Sequence, residues 1–237
     1  MPPRLALLAG LALAACACAD SGPAAGTLRV LFLGNSLTYA NDLPAQLAEL
    51  AQGTAGELAI EVRDVSLPGY ALEDHWNTAA SMDALAEGGW GVVILQQGPS
   101  SLPENQVFLR DWAVRFADRI RELGGRPALY MVWPENTRLD AFDAVSQSYR
   151  NAAEAAGAEL YPAGEAWRAA WRADPSLALY DTDGFHPSRM GSYLAALTIY
   201  HGLTRRPVVG LASAEFAPEV ARVLQEAAEE AVGQFGR

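Results

Sequence analysis

Residues 28–38 read LRVLFLGNSLT, and this stretch decides the fold. Leu28 to Leu33 is a run of strand-forming apolar residues. Gly34 follows it at once, which predicts a buried strand that stops and bends sharply. In an open parallel sheet the chemistry lies just beyond the carboxyl ends of the strands. Ser36 stands there, where a nucleophile would. A serine hydroxyl needs a base to take its proton, and the best candidate lies far downstream in Asp181 to Ser188, DTDGFHPS.

Working outward, apolar runs alternate with amphipathic stretches, without an internal repeat. Strands are expected at 28–33, 58–65, 91–95, 127–133 and 158–161. Helices are expected at 43–52, 71–86, 103–123, 140–156, 164–172, 188–203 and 218–235. Asp42 is a candidate N-cap for the first of these, with Pro44 tolerated in its first turn. Gly91 to Leu95 (GVVIL) is continuously apolar, as expected for a strand covered on both faces. Leu109, Trp112, Phe116, Ile120 and Leu123 recur at helical spacing. The alternation predicts an α/β domain with a parallel sheet wrapped in helices. Right-handed crossovers would make it doubly wound.

The first fifteen residues read as an export signal, with Arg4 ahead of a short apolar run from Leu5 to Ala15. Leu13-Ala14-Ala15-Cys16 resembles a bacterial lipobox, which would make Cys16 the lipidated first residue of the mature chain. An ordinary secretory signal cut near Ala19 is the competing reading. Either predicts an exported protein, and the lipobox predicts a periplasmic or outer-membrane-tethered lipoprotein whose only membrane contact is its anchor. Residues 16–26 would be the tether and 27–237 one domain. Cys16 and Cys18 are the only cysteines, so the domain has no disulfide framework and no Cys-based metal site. All 17 basic residues are Arg against 28 acidic ones, a balance that argues against a nucleic-acid partner.

Ser36, Gly69 and Gln96-Gln97-Gly98 fall at strand ends, which a parallel sheet gathers on one rim. Asp183 and His186 share a single loop. Their spacing lets a carboxylate hold one ring nitrogen while the other faces Ser36, the arrangement that activates a serine. Each also has a plainer reading: Ser36 as a helix cap, Asp183 and His186 as a capping pair, Gly69 as a turn residue, the glutamines as a strand end. His75, in LEDHW, is a candidate pocket residue, as are Asn35, Tyr70, Gln97, Trp133 and Phe185, with Trp76 near the rim. No ligand spacing supports a metal site at Asp74, His75 and Asp183. His201 reads as a solvated residue near a helix end.

GNSLT, the isolated glycine of LPGY, and DGFHP resemble the SGNH (GDSL) hydrolase family over essentially the whole mature domain. The resemblance implies a flavodoxin-like three-layer α/β/α sandwich with a five-stranded parallel sheet, esterase or lipase chemistry and no cofactor. It makes Ser36 the nucleophile, His186 the base and Asp183 its partner. The backbone N–H groups of Ser36 and Gly69 and one side-chain amide would form the oxyanion hole. Two blocks depart from the pattern. Asn35 replaces the usual Asp, and LQQGPS stands where Gly-x-Asn is expected, so Gln96 is assigned as the amide donor, with Gln97 as its rival. GNS and LQ together resemble one subgroup of the family. The expected activity is hydrolysis of short acyl esters, acetyl above all, on small molecules or glycans. A catalytically silent carbohydrate-binding module on the same fold is the alternative that the missing Asn keeps open.

Overall fold

A computed structural model describes residues 26–53 and 58–236 of the chain. The export signal, Cys16 with its proposed lipidation, Cys18 and all but the last residue of the tether lie outside the described residues. That last residue, Gly26, opens the first strand, pairing with Leu58.

The strands are β1 (Gly26–Gly34), β2 (Leu58–Ser66), β3 (Val92–Leu95), β4 (Arg126–Tyr130) and β5 (Glu159–Tyr161). All pair in parallel in the order β2-β1-β3-β4-β5. This is the flavodoxin-like order, whose direction of winding reverses between β1 and β3. Val30 to Leu33 and Val92 to Leu95 have no exposed surface, which is why both segments are unbroken apolar runs.

The helices are α1 (Ser36–Tyr39), α2 (Leu43–Gly53), α3 (Leu72–Trp76), α4 (Ala79–Ala86) and α5 (Pro103–Glu122). They continue with α6 (Phe142–Ala156), α7 (Ala163–Ala173), α8 (Arg189–Thr204) and α9 (Pro218–Phe235). On one side α2 packs on α8, which meets α7 and α9; on the other, α5 meets α3 and α6. The α5 stripe is real: Leu109, Phe116 and Ile120 are fully buried, each contributing about 1.5–3 kcal/mol.

Three local expectations are corrected. The stretch 71–86 is two helices, because Asn77 Nδ2 donates to Glu73 O and Thr78 Oγ1 to Asp74 O, ending α3. Asp42 does not take the extended conformation of an N-cap: Asn41 and Asp42 have left-handed φ of 54° and 56° in a 3-10 turn, Ala40–Asp42. The fourth strand ends at Tyr130, although Met131 N–H still donates to Tyr161 O.

Candidate active site

The turn that carries Ser36 is built where β1 breaks into α1. Gly34 is required there, since a Cβ would lie 2.3 Å from Thr38 Oγ1 and 2.8 Å from Gln96 Oε1. Asn35 is extended and caps α1, its Oδ1 accepting from Leu37 N–H at 3.1 Å. Its Nδ2 donates to Tyr70 O at 2.9 Å, tying the turn to the loop that carries Gly69. An aspartate could cap but could not make that donation, which accounts for Asn at this position. Asn35 is 6% exposed, so it braces the site from within rather than lining a pocket.

The opposite side of the site is the 181–188 loop. Asp183 Oδ1 accepts from the Phe185 and His186 N–H groups at 2.9 Å, and its Oδ2 lies 2.5 Å from His186 Nδ1. The helix that follows is capped by Ser188, whose Oγ accepts from Gly191 N–H, so Asp183 serves the loop and the ring and not the helix. The donors to Asp183, His186 first, lower its pKa from 3.8 to about 2. Facing a carboxylate, Nδ1 carries the ring proton, which leaves Nε2 as an acceptor 2.9 Å from Ser36 Oγ. Ser36, His186 and Asp183, remote in sequence, thus form one hydrogen-bonded chain.

Several buried groups set that chain in place. Trp133, expected in the pocket, is fully buried, stacks on Trp167 at 3.5 Å and donates from Nε1 to Phe185 O at 3.1 Å. Asn41 Nδ2 donates to Pro187 O at 2.8 Å, joining the segment after the nucleophile to the histidine loop. Nothing in the residue pattern singles out Asn41, because a left-handed backbone at an asparagine leaves no mark on its neighbours. Trp76 packs on Trp112 and Phe116 instead of standing at the rim. His201 is not simply solvated, since its Nδ1 donates to Arg206 O.

Gln96 is not an available oxyanion donor. It is fully buried, its Oε1 accepts from Asn35 N–H and Thr38 Oγ1 at 2.8 Å, and its Nε2 donates to Gln97 O at 2.6 Å. Gln97, the rival, is also engaged: Oε1 accepts from Leu72 N–H and Nε2 donates to Ser100 Oγ. Both glutamines scaffold the rim. The backbone N–H groups of Ser36 and Gly69 donate to no partner among the described residues. Gly69 has φ 72° in a Leu67–Tyr70 turn closed by Tyr70 N–H to Leu67 O, the conformation that a Pro-Gly turn demands.

His75 lies beneath the site rather than in a pocket. It is fully buried, with Nε2 2.8 Å from Gly34 O, Nδ1 2.8 Å from Ser81 Oγ and the ring of Tyr70 edge-on above it. A carbonyl only accepts, so Nε2 carries the hydrogen and Nδ1 accepts from Ser81. Burial lowers the His75 pKa below 6.5. The unfolded chain therefore takes up this proton first, so stability is full above that value and declines as pH falls through the window below it. The thermal midpoint of the wild type should fall more steeply from about pH 7 to about pH 5 than that of His75→Gln, which keeps a donor for Gly34 O. Parallel slopes in the two chains would contradict a neutral, structural His75.

Part of Tyr70 and of Phe185 remains accessible beside these residues, while His186 and Asp183 keep 37% and 49% of their side-chain surface. The site is open and shallow. A groove of about 610 Å³ beside α2 and α8 includes none of Ser36, Asp183 and His186.

No family model matches the sequence, and no curated protein does. Solved structures do. A candidate SGNH hydrolase from Slackia heliotrinireducens is 30% identical, with a TM-score of 0.63 over 74% of this chain and 98% of that one. The chain belongs to the SGNH hydrolase family. Two more distant structures share the fold. A DUF4886 family protein from Bacteroides uniformis aligns with a TM-score of 0.77 and 19% identity over 88% of this chain and 96% of its own. A variant of an acetylxylan esterase from Geobacillus stearothermophilus aligns at 0.55 and 16%, over 75% and 93%. The third block departs from the SGNH pattern, and its Gln96 is hydrogen-bonded to the turn that carries Ser36.

Proposed function

We propose that this SGNH hydrolase is a serine esterase that removes short acyl groups, acetyl first, from carbohydrate-type alcohols. The observation that carries the reading is the continuous hydrogen-bonded chain from Ser36 Oγ through the His186 ring to Asp183. In this mechanism Ser36 Oγ attacks the ester carbonyl as His186 Nε2 takes its proton, and Asp183 steadies the imidazolium. The Ser36 and Gly69 N–H groups receive the developing oxyanion. His186 then gives the proton to the departing alcohol, leaving an acyl-serine. Water repeats the cycle, with His186 again the base, and the acid leaves. The open site suits a short acyl group on a bulky alcohol, and the acetylxylan-cleaving structural neighbour points the same way. The leader supports an exported, lipid-tethered enzyme acting on envelope or scavenged glycans.

Asp183→Asn tests this role. The amide oxygen of the replacement can still accept the Phe185 and His186 N–H groups, so the loop stays, but its NH₂ cannot accept from Nδ1. Turnover of 4-nitrophenyl acetate should fall by about 10²- to 10⁴-fold without loss of folding. Wild-type turnover in that variant would remove Asp183 from the mechanism. With both glutamine amides bonded to neighbours inside the protein, a silent glycan-binding module is the second reading; a wild-type chain that binds acetylated glycans and hydrolyses no ester would establish it.

A further inference from the structure

Between the loop after β3 and the turn after β4 lies a cavity of about 140 Å³, lined by Ser101, Leu102, Asn105, Glu135, Arg138 and Phe185. It opens beside the triad: Phe185 precedes His186, and their rings are 5.3 Å apart. The carboxyl ends of β3 and β4, next to the reversal in winding, are where open α/β sheets take their ligands.

Three of its polar side chains, Arg138, Glu135 and Asn105, are exposed and make few bonds within the protein. Arg138 has no carboxylate partner among the described residues, only a long 3.4 Å contact from Nη2 to Ser101 Oγ. The Glu135 carboxylate receives only the Thr137 hydroxyl, at 3.5 Å, and forms no ion pair with Arg138. The Asn105 amide makes no hydrogen bond among the described residues.

A small cavity with free donors, free acceptors and an aromatic wall selects its ligand by elimination. An anion would meet Glu135, a cation would meet Arg138, and an acyl chain would gain nothing from either charge. A polyhydroxylated ring satisfies them, since each hydroxyl both donates and accepts and the C–H face of the ring can lie on Phe185. The volume equals roughly five waters at about 30 Å³ each, room for one sugar ring.

We infer that this cavity is the subsite for the alcohol half of the ester, a single neutral sugar ring whose acylated hydroxyl is directed at Ser36. The inference rests on the esterase reading and adds to it the side of the triad on which the sugar sits.

The test compares mono-O-acetyl methyl β-xylopyranoside with 4-nitrophenyl acetate, which carries no sugar. In Arg138→Ala and in Glu135→Ala, kcat/KM for the sugar acetate should fall about ten- to a hundredfold relative to that for the aryl acetate, as expected for losing one hydrogen bond to a charged group. Equal losses on both substrates, or no loss on either, would overturn the subsite. Hydrolysis of neither substrate by the wild type would instead reject the esterase reading. The subsite is then decided by titrating Ser36→Ala with methyl β-xylopyranoside: shifts of the Arg138 Nε–H and Asn105 amide NMR signals uphold it, and their constancy overturns it.

Discussion

Ser36→Ala is expected to lower kcat on a short-chain aryl acetate by about 10⁴- to 10⁶-fold, with folding intact. The hydroxyl has one hydrogen-bond partner among the described residues, His186 Nε2, so its removal leaves no buried group unsatisfied. A change at such a half-exposed site costs within about 0.5 kcal/mol of stability. The loss in rate is large because nucleophile and base act as a unit. For the same reason, Ser36→Ala combined with His186→Ala should be about as slow as either alone. Losses that multiplied would mean that the two side chains serve separate steps.

Gln96→Leu should act in the opposite manner, on the fold as much as on the rate. The substitution conserves bulk but removes the acceptor for Asn35 N–H and Thr38 Oγ1 and the donor to Gln97 O. Gln97 O keeps the Tyr149 hydroxyl, so two buried groups are left unsatisfied at roughly 1–3 kcal/mol each, and a loss of about 2–6 kcal/mol is expected from chemical denaturation. Activity should fall with it, because Asn35 lies directly before the nucleophile and its cap and tether to Tyr70 both depend on that turn. A donor to the oxyanion would behave otherwise: turnover would slow by about 10²- to 10³-fold with unchanged stability. Unfolding and kinetic measurements on this one variant separate the two roles.

That contrast marks how far the sequence can be read. The strands and the helix stripe are legible because burial on a sheet or helix face imposes a period on residue type, and LRVLFL, GVVIL and 109–123 carry that period openly. Ser36 is legible because it stands at a strand end just after Gly34, and Asp183 and His186 because a short loop marked by glycine and proline holds both. The orientation of a carboxamide is a different matter. Gln96 offers donors at one end and an acceptor at the other, and only the packed turn shows that the acceptor end faces Asn35 and Thr38.

The same limit explains His75 and Trp133, whose nearness in sequence to Gly69 and to the end of β4 suggests the rim. Both lie one layer deeper, where they hold the nucleophile turn and the histidine loop through a carbonyl each. Whether a residue lines a pocket or supports it from beneath depends on which loops close over it, and that is decided by contacts remote in the chain. The 71–86 break is hidden for a local reason: Asn77 and Thr78 end the helix by bonding their side chains to its backbone, while the apolar spacing runs on.

Central to this mechanism is that Ser36 is the one serine raised to a nucleophile by His186. Incubation with a fluorophosphonate ester, followed by peptide mass spectrometry, examines this without assuming any substrate. The predicted result is a single adduct on the peptide that contains Ser36, lost in His186→Ala. An adduct on another serine, or none in a chain that still hydrolyses the aryl acetate, would contradict it.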